Sequence, residues 1–185
     1  MIIALQGRPG CGKSTAASYL VQQHNFTLHK IAKPLKDMLR GFGLTERHIE
    51  GDLKRVPCKL LAGKTPTYGM QTLGKEWRDL FSPDLFLYSW LENKPSGDLV
   101  LDDNRYPNEI TFLREHCDDV VFLQIIRPGL EVGEYESHAA ERQTLEHDAV
   151  VVNDGTPDQL GRRVLEFARM VIDARHNGNK PHQAR

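Results

Sequence analysis

Residues 7–15 read Gly-Arg-Pro-Gly-Cys-Gly-Lys-Ser-Thr, and they follow the apolar run Ile-Ile-Ala-Leu at 2–5 after a single residue. This order matches the pattern G-x-x-x-x-G-K-[ST], which binds phosphate when it lies between a buried strand and a helix. Apolar residues continue after the loop at helical spacing: Ala16, Ala17, Leu20 and Val21. The sequence therefore predicts a strand, a phosphate-binding loop and a helix. A Gly-rich turn without a ligand is the alternative.

Each residue type in this loop has a chemical purpose. The glycines let successive backbone N–H groups point into one concavity, and the following helix presents the positive end of its dipole there. Lys13 offers a charge to the β- and γ-phosphates, and Ser14 offers a hydroxyl to Mg²⁺. We therefore expect a nucleoside triphosphate to be held by these residues: Gly7, Arg8, Gly10, Cys11, Gly12, Lys13, Ser14 and Thr15.

Composition narrows the class of protein. A chain of 185 residues fits one domain with a proper core, and its formal net charge of -1 gives no overall field to attract nucleic acid or an anionic membrane. We expect neither as a partner. The three cysteines, Cys11, Cys58 and Cys117, lack metal or disulfide spacing, and no apolar run is long enough to cross a bilayer. These features favour a soluble cytoplasmic protein.

Apolar runs alternate with amphipathic stretches along the chain, which is typical of a parallel sheet with crossover helices. The pattern predicts strands at 2–6, 26–31, 98–103, 119–126 and 149–152, and helices at 12–24, 34–42, 71–80, 84–93, 107–116 and 157–175. Segment 43–70 is irregular in pattern and long for a connector. We interpret it as an ordered insertion on the substrate side of an α/β fold.

Ligands of parallel sheets bind beyond the carboxyl ends of the strands, so the polar residues that end apolar runs are candidates for function. Asp102 and Asp103 end one run, where they can hold Mg²⁺ or orient an attacking oxygen; a capped turn is the alternative. Arg105 can bind a phosphate bidentately, with Glu109 fixing its geometry. An ordinary surface ion pair is the competing interpretation of that pair.

Two further runs end in polar residues. Arg127 follows one of them and precedes a strongly charged stretch, so we expect a mobile lid at 128–147, with Arg127 and Arg142 delivering positive charge to the transferring phosphoryl group. A solvated charged helix is the alternative. Asn153 begins a turn that can line the adenine pocket of the donor through backbone groups, although Asn-Asp-Gly is also an ordinary strand-to-helix turn.

Five motifs in a fixed order carry a family resemblance. They are the loop 7–15, Ala-Lys-Pro-Leu-Lys at 32–36, Gln-Thr-Leu-Gly-Lys-Glu-Trp-Arg-Asp at 71–79, Asp-Asp-Asn-Arg-Tyr-Pro-Asn-Glu at 102–109 and Val-Asn-Asp-Gly at 152–155. Together they resemble the deoxynucleoside monophosphate kinases of tailed bacteriophages, within the adenylate-kinase-like group of P-loop proteins. The resemblance covers residues 1–165, and the motifs at 71–79 and 102–109 are its distinctive part.

The resemblance implies transfer of the γ-phosphate of ATP, with Mg²⁺, to a (deoxy)nucleoside monophosphate. It implies a three-layer P-loop NTPase fold with a five-stranded parallel sheet flanked by helices, in a single domain at 1–175. That domain has an acceptor-binding region at 33–95 and the lid at 128–147, and residues 176–185 form a flexible tail. Host cytoplasm is the implied compartment for a phage-encoded protein, and a homodimer stays open.

The expected catalytic residues are Lys13, Asp103, Arg105, Arg127 and Arg142, and Asn153 joins the loop in binding the donor. The expected metal-binding residues are Ser14, Asp102 and Asp103. The acceptor is expected to contact Lys33, Gln71, Trp77, Arg78, Arg105 and Glu109. Trp77 can stack on a base, but it also lies in an apolar helical pattern typical of a core residue.

The chain departs from the family at one loop position, since relatives often carry Asp after the loop lysine and this chain has Ser14. Its predicted lid also lacks a dense arginine cluster. Two alternatives of other kinds therefore stay open. One is a P-loop kinase for dephospho-coenzyme A or phosphomevalonate, and the other is a nucleotide-dependent switch, against which stands the missing Asn-Lys-x-Asp motif.

Overall fold

A five-stranded parallel sheet organises the chain in the computed structural model, which describes residues 1–130 and 145–176. In the order of the sheet the strands are β2 (Thr27–Leu28), β3 (Leu99–Leu101), β1 (Ile2–Gln6), β4 (Val120–Ile126) and β5 (Ala149–Val152). All five residues of β1 are buried because the strand pairs on both sides, with Ile3 opposite Val100 and Ala4 opposite Phe122. The predicted parallel sheet is confirmed.

Seven α-helices accompany this sheet in the described residues: α1 (Lys13–His24), α2 (Lys33–Gly41), α3 (Glu46–Ile49), α4 (Pro66–Leu80), α5 (Leu85–Glu92), α6 (Pro107–His116) and α7 (Pro157–His176). Two 3₁₀ helices lie at Asp52–Arg55 and Lys59–Leu61. The chain divides into two compact units, a sheet unit formed by Met1–His29 and Pro95–Arg185 and a helical unit formed by Lys30–Lys94. The helical unit has nearly the range expected for acceptor binding, and that role stays a prediction.

The sheet unit has three layers, with helices on both faces of the sheet. Helices α1 and α7 cover one face, and their buried residues are Ala16, Ala17, Leu20, Leu160, Val164 and Ala168. They pack on the strand residues Ile3, Leu5, Val100, Leu123 and Ile125. Helix α6 lies on the other face, because its Arg114 Cζ is 5.0 Å from the ring centroid of Phe122. Apolar side chains on both faces explain why the central strands are continuous apolar runs.

The helical unit has its own core, made by Leu35, Leu39, Leu44, Ile49, Met70 and Phe86. Its helix α4 begins at Pro66, five residues before the predicted start at 71. Thr65 Oγ1 accepts a hydrogen bond from Tyr68 N at 3.1 Å, and proline at the first helical position needs no N–H partner. The segment 43–70 looked irregular in sequence, yet its last five residues form the start of this helix, and a Cβ at Gly69 would lie 3.1 Å from Leu61 Cδ1.

Two predicted strands are longer than the observed ones. Only Thr27–Leu28 of the predicted strand 26–31 pairs, because residues 30–33 form a turn in which Lys33 N donates to Lys30 O at 3.1 Å. Strand β3 ends at Leu101 instead of 103, where the polar residues begin. The other predicted elements agree within one or two residues. No helix among the described residues combines the length and apolar character needed to cross a bilayer.

The position of Leu123 in the middle of the sheet gives a stability prediction. Its side chain is 0% exposed, so Leu123→Ala should lower the free energy of unfolding by about 2–5 kcal/mol through lost burial and a residual cavity. Met170 on α7 is 70% exposed, and Met170→Ala should change it by less than about 0.5 kcal/mol. Urea unfolding of both variants checks this. Equal losses would contradict the assignment of the sheet as the core.

Candidate functional site

The phosphate loop, residues 7–12, joins β1 to α1 and packs tightly against its surroundings. Gly7 has φ of 133°, and a Cβ there would lie 2.4 Å from the carbonyl oxygen of Ile125. Gly12 has φ of 110°, and its Cβ would lie 2.7 Å from Leu160 Cδ2 and 2.8 Å from Asn153 Nδ2. Only glycine fits both positions, because any side chain would meet β4 or α7 and would strain the backbone.

Two cationic side chains contact the main chain of this loop. Lys13 Nζ donates to the carbonyl oxygens of Gly7 at 2.5 Å and Arg8 at 3.0 Å. Arg127 Nη1 donates to the carbonyl oxygen of Gly10 at 3.3 Å, which puts this exposed residue beside the loop. Arg142, the other arginine predicted to reach the phosphates, lies outside the described residues, as do 131–144 of the predicted lid and 177–185 of the predicted tail.

Asn153 supports the phosphate loop through its side chain. The side chain is buried, and its Nδ2 donates to the carbonyl oxygen of Cys11 at 2.8 Å. The Asn153 side chain thus contacts the loop itself, and the contact of its backbone groups with the adenine stays a prediction. The next residue, Asp154, is exposed and pairs with Arg163, whose hydrogen bond and charge lower the pKa of the Asp154 carboxyl.

A hydroxyl and a carboxylate meet where β3 ends. Ser14 Oγ donates to Asp102 Oδ2 at 3.0 Å, and Asp102 is buried while Asp103 is half-buried on the loop that follows. The structure therefore brings together two of the three residues predicted to bind metal. Among the residues described, His, Cys, Asp and Glu side chains form no group of three arranged for a metal. Mg²⁺ needs no such group, since it often binds one or two carboxylates plus substrate phosphates.

A buried hydrogen-bond network begins at the last residue of β1. Gln6 Nε2 donates to Asn104 Oδ1 at 2.9 Å, and Asn104 Nδ2 donates to Glu109 Oε2 at 3.0 Å. The same Glu109 oxygen accepts from the backbone N–H of Arg105 at 2.5 Å and of Tyr106 at 3.0 Å. Glu109 therefore fixes Arg105 through the main chain, and its own contacts here are with protein groups, although it was predicted to contact substrate.

Sequence reasoning missed Gln6 and Asn104 as members of this network. The signal for Gln6 was present, because it is a polar residue that ends a buried apolar run, like the residues that were selected. Asn104 lies inside the distinctive motif 102–109 but was passed over between two stronger candidates. Both side chains are at most 2% exposed, whereas Arg105 is exposed.

The predicted acceptor residues of the helical unit have these positions. Lys33 is exposed and pairs with Asp37, with Nζ 2.5 Å from Oδ2, and Gln71 is exposed on α4. Arg78 Cζ lies 5.5 Å from the ring centroid of Phe86. Trp77 is half-buried against the core of the unit. Trp77 thus has a packing role, and contacts of these four residues with an acceptor stay predictions.

Two lysine side chains contact Glu50 in the helical unit, and the sequence did not predict this cluster. Lys36 Nζ lies 2.7 Å from Glu50 Oε1, and Lys30 Nζ lies 3.5 Å from the same oxygen. Burial alone would raise the pKa of the Glu50 carboxyl, but the hydrogen bond from Lys36 and the charges of Lys36, Lys30 and Lys54 outweigh it and lower the pKa. Glu50 therefore stays ionised and holds two lysines in place.

Comparisons with known proteins agree with this architecture. No protein-family model matches the chain. A protein of Acanthamoeba polyphaga mimivirus named "Putative deoxynucleotide monophosphate kinase" is 27% identical over 184 residues, covering 89% of this chain and 94% of that protein. The crystal structure of shikimate kinase from Aquifex aeolicus has a TM-score of 0.54 and 15% identity, covering 92% of this chain and 97% of that one. The chain has the three-layer fold of P-loop kinases.

The contact of Asn153 with the phosphate loop predicts a binding defect. Asn153→Ala leaves the Cys11 carbonyl without its buried donor, which lowers the free energy of unfolding by about 1–3 kcal/mol. Because ATP must then order a loop that has lost this support, a cost of the same size should raise the Kd for ATP about fivefold to a hundredfold. Asp154→Asn alters the next residue of the same turn, which is exposed, and should leave the Kd unchanged. Calorimetric titration of both variants with ATP checks this. An unchanged Kd for Asn153→Ala would remove its supporting role.

Proposed function

We propose that this protein is a kinase that transfers the γ-phosphate of ATP to a (deoxy)nucleoside monophosphate, giving the diphosphate. The observation that carries the proposal is the 3.0 Å contact of Ser14 with Asp102. This contact lies directly beside a phosphate loop in which only glycine fits at positions 7 and 12. The name of the mimivirus relative and the motif at 102–109 support a deoxynucleotide acceptor.

The donor phosphates are held by the loop amides at the start of α1 and by Lys13. Phosphate oxygens replace the carbonyls of Gly7 and Arg8 as partners of the ammonium when ATP binds. The main chain of the loop is held by Asn153 and by the packing of Gly12, so its amides are already oriented before the ligand arrives. Preorganised donors stabilise developing charge without reorganising during the reaction.

Mg²⁺ is the metal that this site would take. Ser14 Oγ and Asp102 Oδ2 are hard oxygen ligands beside the phosphate loop, and Asp103 adds a further carboxylate on the following loop. When bound, the ion neutralises charge on the β- and γ-phosphates. Asp102 accepts the hydroxyl hydrogen of Ser14 at the site, and this bond orients the hydroxyl oxygen.

The acceptor phosphate is bound by Arg105 in this proposal. Its guanidinium is on an exposed side chain, while its backbone N–H is held by Glu109. Phosphoryl transfer passes through a loose, charge-rich transition state, so catalysis depends on alignment and on cations where charge develops. Arg127, which already contacts the phosphate loop at Gly10, supplies a second positive charge on the donor side.

An acceptor panel tests the activity. The wild-type protein should form ADP from ATP only when a nucleoside monophosphate is added, and the panel contains the ribose and deoxyribose forms of each base, dephospho-coenzyme A and phosphomevalonate. Lys13→Ala should abolish ADP formation while circular dichroism shows an unchanged fold. Slow ADP formation without any acceptor would indicate a switch, and ADP formed only with one of the other acceptors would indicate another small-molecule kinase.

The role of Arg105 predicts a separate kinetic defect. Arg105→Ala should raise the KM for the acceptor and lower kcat, giving a loss of about a hundredfold or more in kcat/KM, because an arginine that stabilises transferring phosphate contributes strongly. Arg169→Ala is the matched control, since Arg169 is an exposed arginine on α7. Steady-state kinetics with varied acceptor checks both variants. Near-normal turnover of Arg105→Ala would exclude this arginine from the mechanism.

A further inference from the structure

We propose that Gln6, Asn104 and Glu109 are positioning residues that fix the main chain of the Asp103 to Arg105 loop relative to the phosphate loop. The inference rests on the proposed function for its kinetic consequence, because it concerns how Arg105 is aligned with the donor. Its structural part concerns only hydrogen bonds within the sheet unit.

The network is continuous from one side of the candidate site to the other. Gln6 is the last residue of β1, and the phosphate loop starts at the next residue, Gly7. Two side-chain hydrogen bonds of 2.9 and 3.0 Å lead from Gln6 through Asn104 to Glu109, which then holds the backbone N–H of Arg105. All three side chains are at most 6% exposed, so water competes little for these bonds.

The carboxylate gives the network a fixed direction. Glu109 Oε2 also accepts the backbone N–H groups of Arg105 and Tyr106, so the atom that faces Asn104 is an acceptor. Asn104 must therefore turn its amide nitrogen toward Glu109 and its oxygen toward Gln6. Gln6 must then present its own nitrogen to Asn104. The reversed amides would place oxygen against oxygen and nitrogen against nitrogen. One buried acceptor therefore selects a single arrangement of the two amides.

The contacts of Glu109 exceed what a helix cap requires. Glu109 is the third residue of α6, and its bond to the N–H of Tyr106 is half of a capping box. A cap alone explains neither the bond from Arg105 N nor the bond from the Asn104 side chain. These two bonds tie the cap to the loop that carries Arg105 and to the strand that leads into the phosphate loop.

The consequence for catalysis is alignment. The side chain of Arg105 is exposed, whereas its backbone N–H is fixed at Glu109. A displacement of about 1 Å in a positioning group can cost on the order of a hundredfold in rate. Loss of the network should therefore affect acceptor use, whereas Asn153 and Lys13 keep the donor side of the phosphate loop in place.

Three variants separate positioning from simple support of the fold. Asn104→Leu keeps nearly the same side-chain volume but removes both hydrogen bonds of the amide, so Gln6 and Glu109 each lose a buried partner. Gln6→Leu breaks the same chain of bonds at its other end and leaves the contacts of Glu109 in place. Gln23→Leu is the matched control, because it makes the same kind of change at an exposed position of α1.

Steady-state kinetics with varied acceptor gives the first readout. Asn104→Leu and Gln6→Leu should each raise the KM for the acceptor by about tenfold to a hundredfold, while the Kd for ATP stays within about twofold of wild type. Gln23→Leu should lie within about threefold of the wild-type KM. A merely structural role would reduce the amount of active protein and leave KM unchanged, so an unchanged KM in Asn104→Leu overturns the proposal. An unchanged KM in Gln6→Leu also overturns it.

Hydrogen exchange of backbone amides gives a readout that does not depend on activity. The amides of Arg105 and Tyr106 should exchange slowly in wild type and in Gln23→Leu and faster in Asn104→Leu, while amides of β4 stay unchanged. Uniformly faster exchange would indicate general destabilisation and contradict the proposal. If wild type transfers no phosphate to any acceptor, the proposed function fails, and the exchange pattern alone then decides for or against the network.

Discussion

The close packing of the phosphate loop against the sheet unit is the constraint on which the rest of the site depends. At Gly7 the loop approaches a carbonyl of β4, and at Gly12 it approaches Leu160 and Asn153, so the loop has one shape. That shape is set by the parallel sheet, because β1 lies between β3 and β4 and emerges at the edge where both neighbours also end. The phosphate loop contacts Asp102 through Ser14 and Arg127 through Gly10 there, because the three strands end at the same edge.

The polar residues at this edge form two sets with different contacts. Ser14, Asp102 and Lys13 lie where donor phosphates and Mg²⁺ would be bound, and they are held through the loop and the end of β3. Gln6, Asn104 and Glu109 lie beneath the surface and contact one another. Burying a polar group costs free energy unless the group is hydrogen-bonded. The continuous hydrogen bonding of Gln6, Asn104 and Glu109 therefore indicates that the position of the Asp103 to Arg105 loop matters more here than apolar packing would.

The sequence predicted the parts of the fold that depend on local pattern. Helix α6 has its predicted bounds because Pro107 marks its start. Ser14 and Asp102 were selected from motif and strand-end position and are in contact, while their role as metal ligands stays a prediction. The early start of α4 was missed because segment 43–70 looked irregular in sequence, and the contact of its Gly69 with Leu61 is a tertiary one. The contact of Asn153 with Cys11 joins residues 142 positions apart, and local pattern carries no information about such a bond.

The central claim is that ATP bound at the phosphate loop loses its γ-phosphate to a monophosphate acceptor. The most direct measurement uses ATP with an isotopic label in its γ-phosphate. The protein is mixed with this ATP, Mg²⁺ and deoxynucleoside monophosphates, and the products are separated to find which of them carries the label. The account predicts that the label appears in a deoxynucleoside diphosphate. Label found only as inorganic phosphate, or label that stays in ATP, would contradict it.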